Sequence, residues 1–402
     1  QLEDQNYSGI WFVISPSPPY KAPKNLPTKD LMEAQKILMA LPQYSDMDTT
    51  DRLINFLFAR REAVQSSRIE GTWSTIDSVL TPGELIDHPH KKEAYISVRG
   101  YAHGIEDQFE KAYKKREKIF TKKLLKTIHQ SIIEKDPNSK AEPGRFRSTK
   151  SPGSIVHIGG TTCQNSIYNP TPPLYVEKQL DQFLVWLSDR EMAEKGDAGL
   201  SQLGLILRMA IGHTHFEAIH PFEDGNGRVG RALWPLQMVC SSHMPLYISG
   251  FVEKEKSSYM KALEKAQKKL DYAPMISFLS QSIVHSYQES KVSKEALLSL
   301  PTQWAKRGKL KEGSSAKRAL SLLLESPVLT ADVLIEKLHV SRPAATHALN
   351  QLQEKEILRF RGKEKRQNVF AAEEVISILS REFGESVELA KDHGRRLLKS
   401  SP

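Results

Sequence analysis

Between residues 200 and 242 the chain leaves little conformational freedom. In SQLGLILRMAIGHTHFEAI, Leu203, Ile206, Leu207, Ala210 and Ile211 recur on one helical face, Pro221 stops that helix, and Val229, Leu233 and Leu236 carry a second one from about Asn226 or Gly227. The join is HPFEDGNGRVGR, residues 220–231, with one histidine, two carboxylates, three glycines and two arginines. Glycines let such a loop curl until several backbone N–H groups point inward at the start of the second helix, where the helix dipole also favours negative charge. Helix, tight loop, helix in this order predicts a phosphate cradle.

The rest of the chain is patterned mainly as helix. Leu53, Ile54, Leu57, Phe58 and Val64 predict a helix over 51–65 behind a cap at Thr49, Thr50 or Asp51, and further helices are expected over 93–113, 121–135, 174–188, 200–217, 227–242 and 256–284. SPSPPYKAPKNLPTKD, 15–30, reads as an extended surface arm, because proline gives no N–H to a helix or a ladder. PGRFRSTKSPGSIVHIGG, 143–160, holds two short β-prone runs around Gly and Pro and predicts a hairpin, and RGKLKEGSS, 307–315, reads as a linker. With 402 residues, 39% of them hydrophobic, two or three domains fit. No run of about 18 apolar residues occurs, and QLEDQNYSGIWF lacks the basic and apolar regions of a signal peptide; a start at Gln1 and not at Met reads as trimmed or processed. Cys163 and Cys240 are the only cysteines, too few for a disulfide framework or a cysteine zinc site, so a cytoplasmic protein with no membrane partner is expected. A net charge of +9 suits phosphates, nucleic acid or acidic partners.

Each polar residue of 220–231 has a place around a nucleotide. His220 is of the residue type suited to act as a base at neutral pH and can take a proton from an attacking hydroxyl. Asp224 offers a hard oxygen to Mg²⁺, which binds through one or two carboxylates plus substrate phosphates. Asn226 and the backbone beside Gly225 and Gly227 can hold the reacting phosphate, while Arg228 and Arg231 reach the outer ones. Phe222 anchors the loop in the core and Glu223 is solvated. His213 and His215 stand two apart on a helix and do not face each other, so packing suits them better than a zinc site with His220.

At every specified position this stretch fits H-x-F-x-[DE]-G-N-G-R-x-x-R, and on those residues the chain resembles the Fic family. The resemblance implies transfer of AMP from ATP to a Ser, Thr or Tyr hydroxyl of a protein, itself included, with release of diphosphate. It also implies His220 as base, Asp224 as the Mg²⁺ ligand, Asn226 at the α-phosphate, and Arg228 and Arg231 at the β- and γ-phosphates. Doc-type relatives, which phosphorylate their targets, lack the small residues Gly225 and Gly227, so adenylylation is favoured.

Other stretches resemble the family in order and spacing. PGRFR followed by VHIGG (Val156, His157, Ile158, Gly159, Gly160) is similar to the flap, a hairpin onto which a target segment pairs as an added strand. NPTPPL, 169–174, resembles the Pro-rich turn after it. LYISGFVEKEKSSYMKAL, 246–263, resembles the segment on the adenine side, which implies Tyr259 as a nucleotide contact. SSRIEG, 66–71, fits the inhibitory pattern [ST]-x-x-x-E-[GN] with Ser66, Glu70 and Gly71. That resemblance implies that Glu70 pairs with Arg231, occupies the γ-phosphate position and restrains the enzyme, and that Glu70 also serves removal of AMP.

Residues 316–372 read as helix, helix, turn, helix, then a hairpin around GKEKR, with Thr330 and Ser341 as N-caps. This resembles a winged helix. It implies DNA contacts by Arg342, Thr346, His347 and Asn350 on the third helix and by Lys363, Lys365 and Arg366 on the wing. Glu354 and Glu356 dilute that basic face, so a domain that packs or forms a homodimer is the alternative. The expected fold is mostly α: a Fic-type helical core with a small β-hairpin flap, plus a C-terminal winged-helix (helix-turn-helix) domain. The expected domains are an N-terminal helical region over 1–115 with the inhibitory helix near 50–71, a catalytic core over 116–285, a connecting helix and linker over 286–315, and a winged helix with a basic tail over 316–402. The rival function is a DNA-binding transcriptional regulator, or a toxin–antitoxin-like module, whose Fic core only senses nucleotide.

Overall fold

The computed structural model describes residues 9–81, 89–149, 155–197, 204–364 and 366–399. The elements run α1 (Thr28–Ala40), α2 (Thr49–Ile69), α3 (Ile76–Leu80), α4 (Pro89–Lys115), α5 (Lys122–Ile133), α6 (Pro173–Leu187), α7 (Arg190–Asp197), α8 (Leu205–Ile219) and α9 (Asn226–Cys240). They continue with α10 (Ser249–Lys254), α11 (Lys256–Lys269), α12 (Ala273–Gly308), α13 (Ser315–Glu325), β1 (Val328–Leu329), α14 (Ala331–Leu338), α15 (Arg342–Glu354), β2 (Arg359–Glu364), β3 (Gln367–Ala371), α16 (Glu373–Ser380) and α17 (Val387–Lys399). The fold is mostly helical, with one small sheet.

The chain divides into two compact units. The first holds the residues up to Met47, Ser66–Thr72 and Gly100–Ser286. Its centre is α8, in which every residue from Leu205 to Ile219 is buried, the polar Arg208, His213, Thr214, His215 and Glu217 included; a helix enclosed on all sides lies inside a bundle. Packed against it are α6, α9 and α11. Amphipathic α5 turns Leu124, Leu125, Ile128, His129, Ile132 and Ile133 inward, and Thr121 caps it by accepting the Leu124 N–H. The Pro-rich arm lies along residues 169–186: Val13 N–H donates to the Asn169 carbonyl (2.9 Å), and Gln179 Nε2 and Trp186 Nε1 donate to the carbonyls of Ser15 (2.7 Å) and Pro19 (3.0 Å). Those side chains supply the partners that proline-rich backbone does not find in itself.

The second unit holds Asp48–Gln65, Trp73–Arg99 and the chain from Tyr287 onward. Its sheet has the order β1-β3-β2, antiparallel throughout, with Leu329 and Phe360 flanking Phe370 and a bulge between Phe360 and Gly362. Helices α13, α14 and α15 pack on one another, and α16 packs on α17 and α3. Acids enclosed in this unit are met by arginines: the mostly covered Glu289 by Arg61 (2.9 Å) and Arg381 (2.6 Å), the buried Glu374 by Arg307 (2.6 Å) and Arg395 (3.0 Å), and Arg361 joins the buried Glu373 (2.7 Å) to Asp77.

Several expectations are corrected. VHIGG does not pair back onto the run beginning at Pro143 among the described residues; Ile158 pairs forward with Tyr168, its N–H donating to the Tyr168 carbonyl at 2.8 Å. The expected helix over 256–284 is two helices, broken where Leu270 turns left-handed at φ 55°, and the second runs on to Gly308, so the linker shrinks to a short turn. Asp48, and not a residue at 49–51, caps α2 by accepting the Asp51 N–H at 2.7 Å. Thr330 stands at the head of α14 without a side-chain cap bond, whereas Ser341 accepts the Ala344 N–H at 3.4 Å. Helix α1 lies partly inside the stretch assigned to an arm, because prolines upstream masked the apolar spacing of Leu31, Ala34 and Leu38. Leu203 and Lys365 lie outside the described residues. Among those residues no helix is long and apolar enough to cross a membrane.

Candidate active site

His220 ends α8 in the left-handed region, φ 51° and ψ 61°, its N–H still donating to the Phe216 carbonyl at 2.9 Å. A non-glycine residue there is held by its surroundings. Here the holder is Arg147, whose Nε donates to the His220 carbonyl at 2.8 Å and whose Nη2 donates to the carbonyls of Thr171 (2.9 Å) and Ile219 (3.0 Å). The imidazole keeps 17% of its surface exposed.

The loop that follows is closed by its own residues. Asn226 accepts the Phe222 N–H at 2.8 Å and donates to the Phe222 carbonyl at 2.9 Å, so its side chain is a clamp across the turn, and its backbone begins α9. Gly225 takes φ 77°, a conformation costly to any residue with a Cβ. Phe222 is fully buried and stacks on His129 with ring centroids 3.8 Å apart. His129 accepts the Gly144 N–H at Nδ1 (2.9 Å), which leaves Nε2 to donate to the Asp224 carbonyl at 3.1 Å. Burial holds this ring neutral, with its pKa pushed down to about 4.

Above the start of α9 stand the side chains of the SSRIEG stretch. Arg231 is buried; its Nε donates to Ser66 Oγ at 2.8 Å, and its Nη2 donates to the Ser66 carbonyl at 3.0 Å and to Glu70 Oε1 at 2.7 Å. Burial alone would weaken its charge, but the Glu70 carboxylate outweighs that and raises its pKa. A Cβ on Gly227 would collide with Glu70 Oε1, so glycine at 227 is what lets the carboxylate reach the helix terminus. Gly71 takes φ 84°; its N–H donates to the Arg68 carbonyl (3.0 Å) and the Thr72 N–H to the Ser67 carbonyl (3.0 Å), the paired bonds of a left-handed helix stop. Lys256 Nζ donates to the Ile69 carbonyl at 2.6 Å and fixes the same end from α11.

Other expected residues sit differently. Arg228 is buried and forms an ion pair with Asp136, with Asp224 at 3.8 Å, so its guanidinium is committed beneath the loop. Asp224 is about half exposed (47%), and its Oδ1 accepts the Gly225 N–H at 2.6 Å. Tyr259 is buried, its hydroxyl 2.6 Å from His213 Nε2; the packing of α11 on α8 puts the phenol inside the bundle and not on an open face. His215 lies between Tyr272 (2.8 Å) and Ser15 (3.2 Å). Burial pushes both histidines down to about 4. Among the described residues no three His, Cys, Asp or Glu side chains are grouped to hold a metal ion. One half-exposed carboxylate beside the glycine loop is the kind of donor that Mg²⁺ takes, completing its shell with phosphates and water. Gly159 and Gly160 both have positive φ and turn the chain after Ile158 toward Asn165, which accepts the N–H groups of Thr161 (2.9 Å) and Thr162 (2.8 Å). Sequence patterning passed over His129, Asp136 and Glu217, none of which carries a local signature, and gave no role of its own to Arg147, the last residue of PGRFR.

The geometry defines a helical bundle whose central helix delivers a histidine to a glycine loop, with a buried arginine at the start of the helix that follows. The Fic/DOC family matches residues 119–238, and the N-terminal region of the same family matches residues 28–110. The chain belongs to the Fic/DOC family. It is 30% identical over 135 residues to the protein adenylyltransferase fic-1 of Caenorhabditis elegans and 27% identical over 172 residues to a probable protein adenylyltransferase of Aquifex aeolicus. Those stretches are 34% and 40% of this chain, and 22% and 46% of the relatives. Less than half the length of either curated relative is therefore spanned. Among solved structures, a Fic family protein of Desulfovibrio desulfuricans superposes with a TM-score of 0.50 at 19% identity, over 88% of this chain and 98% of that one. A Fic domain containing signaling protein of Bacteroides thetaiotaomicron superposes with a TM-score of 0.50 at 18% identity, over 66% and 98%. These likenesses establish the fold.

Proposed function

We propose that the chain is a protein adenylyltransferase, transferring AMP from ATP to a hydroxyl side chain of a protein, and that Glu70 restrains it. The observation that carries this is the convergence of His220, the glycine loop and Arg231 at the start of α9, with Glu70 on the same guanidinium. The α-phosphate lies against the first turn of α9, whose N–H groups have no partners within the helix. His220 removes the proton of the incoming hydroxyl as its oxygen attacks phosphorus, and the bond to the diphosphate breaks. Arg231 is the cation best placed for the outer phosphates once Glu70 lets go. Mg²⁺ held by Asp224 would neutralise phosphate charge. With Glu70 in place, one carboxylate both occupies the arginine and repels the ATP tail, so the resting chain transfers slowly.

The test is incorporation of label from α-labelled ATP into the chain itself or into lysate proteins. Glu70→Gly is expected to raise labelling about tenfold to a thousandfold, since losing a charged partner and a like charge changes binding by a few kcal/mol. Adding Arg231→Ala should abolish most of that gain, and any removal of AMP should disappear with Glu70. If Glu70→Gly labels no better than the parent on any substrate, the restraint is wrong; if neither labels, the transfer is wrong.

A second function rests on the C-terminal elements. The order α13, β1, α14, α15, β2, β3 supports a winged helix over 316–402, with Arg342, Thr346, His347 and Asn350 exposed along α15 and Lys363 and Arg366 exposed near the β2–β3 turn. Arg342 is already paired with Asp332, which leaves fewer cations for a phosphate backbone.

A further inference from the structure

Glu217 is a carboxylate that the transfer just described does not use, and it is buried (5% exposed) one turn before His220 on α8. Its Oε2 stands 3.6 Å from His220 Nδ1. Both His220 Nδ1 and Glu217 Oε1 are buried without a hydrogen-bond partner. The exposed part of the imidazole is therefore not its Nδ1 edge. Room for the carboxylate comes from α9: a Cβ on Gly230 would lie 2.5 Å from Glu217 Oε1 and 3.1 Å from His213 Nδ1. Burial by itself would push Glu217 toward its protonated form, but His220, His213 and Arg231 outweigh it and hold the pKa below the usual range. An ionised carboxylate in the core with no positive partner of its own is costly, and the group it faces at ion-pair distance is the base.

We propose that Glu217 is a positioning residue for His220, keeping its proton on Nδ1 so that Nε2 offers a lone pair to the incoming hydroxyl. This rests on the adenylyl transfer proposed above. During transfer the hydroxyl proton passes to Nε2, the oxygen bonds to phosphorus, and the bonding pair leaves with diphosphate. The imidazolium so formed faces a carboxylate that stays ionised and receives no proton. A histidine oriented by an acid in this way resembles the second half of a catalytic triad in logic, with a hydroxyl supplied by the target.

The experiment compares Glu217→Gln and Glu217→Asp in the Glu70→Gly full-length chain. Gln keeps shape and loses charge; Asp keeps charge and withdraws it by one carbon. Glu217→Gln is expected to lower kcat for AMP transfer about tenfold to a hundredfold with KM for ATP within about twofold, and Glu217→Asp to retain more kcat than Gln. A residue that merely fills space would give the reverse order, and that order overturns the proposal. A readout that needs no turnover is the ¹⁵N spectrum of the histidine rings, with His220 assigned by its loss in His220→Ala. The His220 signal should report Nδ1–H in the Glu217 chain and shift toward Nε2–H in Glu217→Gln; an unchanged tautomer overturns the proposal. Absence of transfer in the Glu70→Gly chain itself would count against the activity, and the tautomer would still decide the role of Glu217.

Discussion

At the scale of single residues, the buried pair of Arg228 and Asp136 separates two jobs that the sequence assigned to one pattern. Both side chains are almost wholly enclosed, and each has the other as its counter-charge. Removing one member of a buried pair strands the other, which costs about 3–5 kcal/mol. Asp136→Ala should therefore lower the thermal midpoint strongly, while His220→Ala should leave it close to the parent and abolish AMP transfer with ATP binding retained. Calorimetry and ATP titration read both; a stable Asp136→Ala chain would mean that the guanidinium finds another partner. The meeting of Ser66 and Glu70 with Arg231, and the place of His220 and Asn226 at the join of α8 and α9, were legible because a loop and a helix end carry their spacing in consecutive residues. Asp136 was not, since it meets Arg228 from 92 positions away and nothing beside it marks a buried acid. Tyr259 misled for the opposite reason: its neighbours fit a nucleotide-lining stretch, and only the packing of α11 on α8 turns its ring inward.

Helices and loops set the behaviour of the site toward acid. His129 of α5 and His213 and His215 of α8 are each held neutral by burial, with pKa values near 4 against an ordinary 6.5. Because the folded values are the lower ones, their contribution to stability is complete above pH 6.5 and is lost as pH falls from 6.5 through 4, each ring giving up about 1.4 kcal/mol for every pH unit crossed. The urea midpoint should fall between pH 7 and pH 5, and His129→Gln should flatten part of that slope while loosening the stack under Phe222. A midpoint that does not change over this range would remove the assignment. Amphipathic α5 and α6, and α8 and α9, which are buried along nearly their whole length, were visible in the sequence to within a few residues. The break at Leu270 was passed over although Pro274 marks it, since proline suits the first turn of a helix and not its interior; Asp271 starts α12 by accepting the Ala273 N–H at 3.3 Å. The strand partner of Ile158 was equally hidden, since β-prone runs do not say which neighbour they pair with.

On the scale of the whole molecule, net charge bears on the C-terminal elements. If the β2–β3 turn meets a phosphate backbone, duplex affinity of the full chain should fall linearly on a log–log salt plot, and Lys363→Ala with Arg366→Ala should reduce the slope by about two. Fluorescence anisotropy at several salt concentrations measures this, and an unchanged slope excludes those cations from the contact. The layout of the chain has a further effect. Ser66–Thr72 groups with the catalytic unit, yet the stretches on either side, Asp48–Gln65 and Trp73–Arg99, group with the residues beyond Tyr287, where Arg61 meets Glu289 and Asp77 meets Arg361. If Glu70 restrains transfer as proposed, heredity does not pass on that restraint by passing on Glu70 alone. A gene fusion that joins residues 1–286 to a foreign tail inherits the carboxylate but loses the partners of both flanking stretches, and is expected to label with ATP faster than its parent. On that proposal, frameshifts late in the reading frame would act as gain-of-function alleles, the reverse of what truncation ordinarily does to an enzyme.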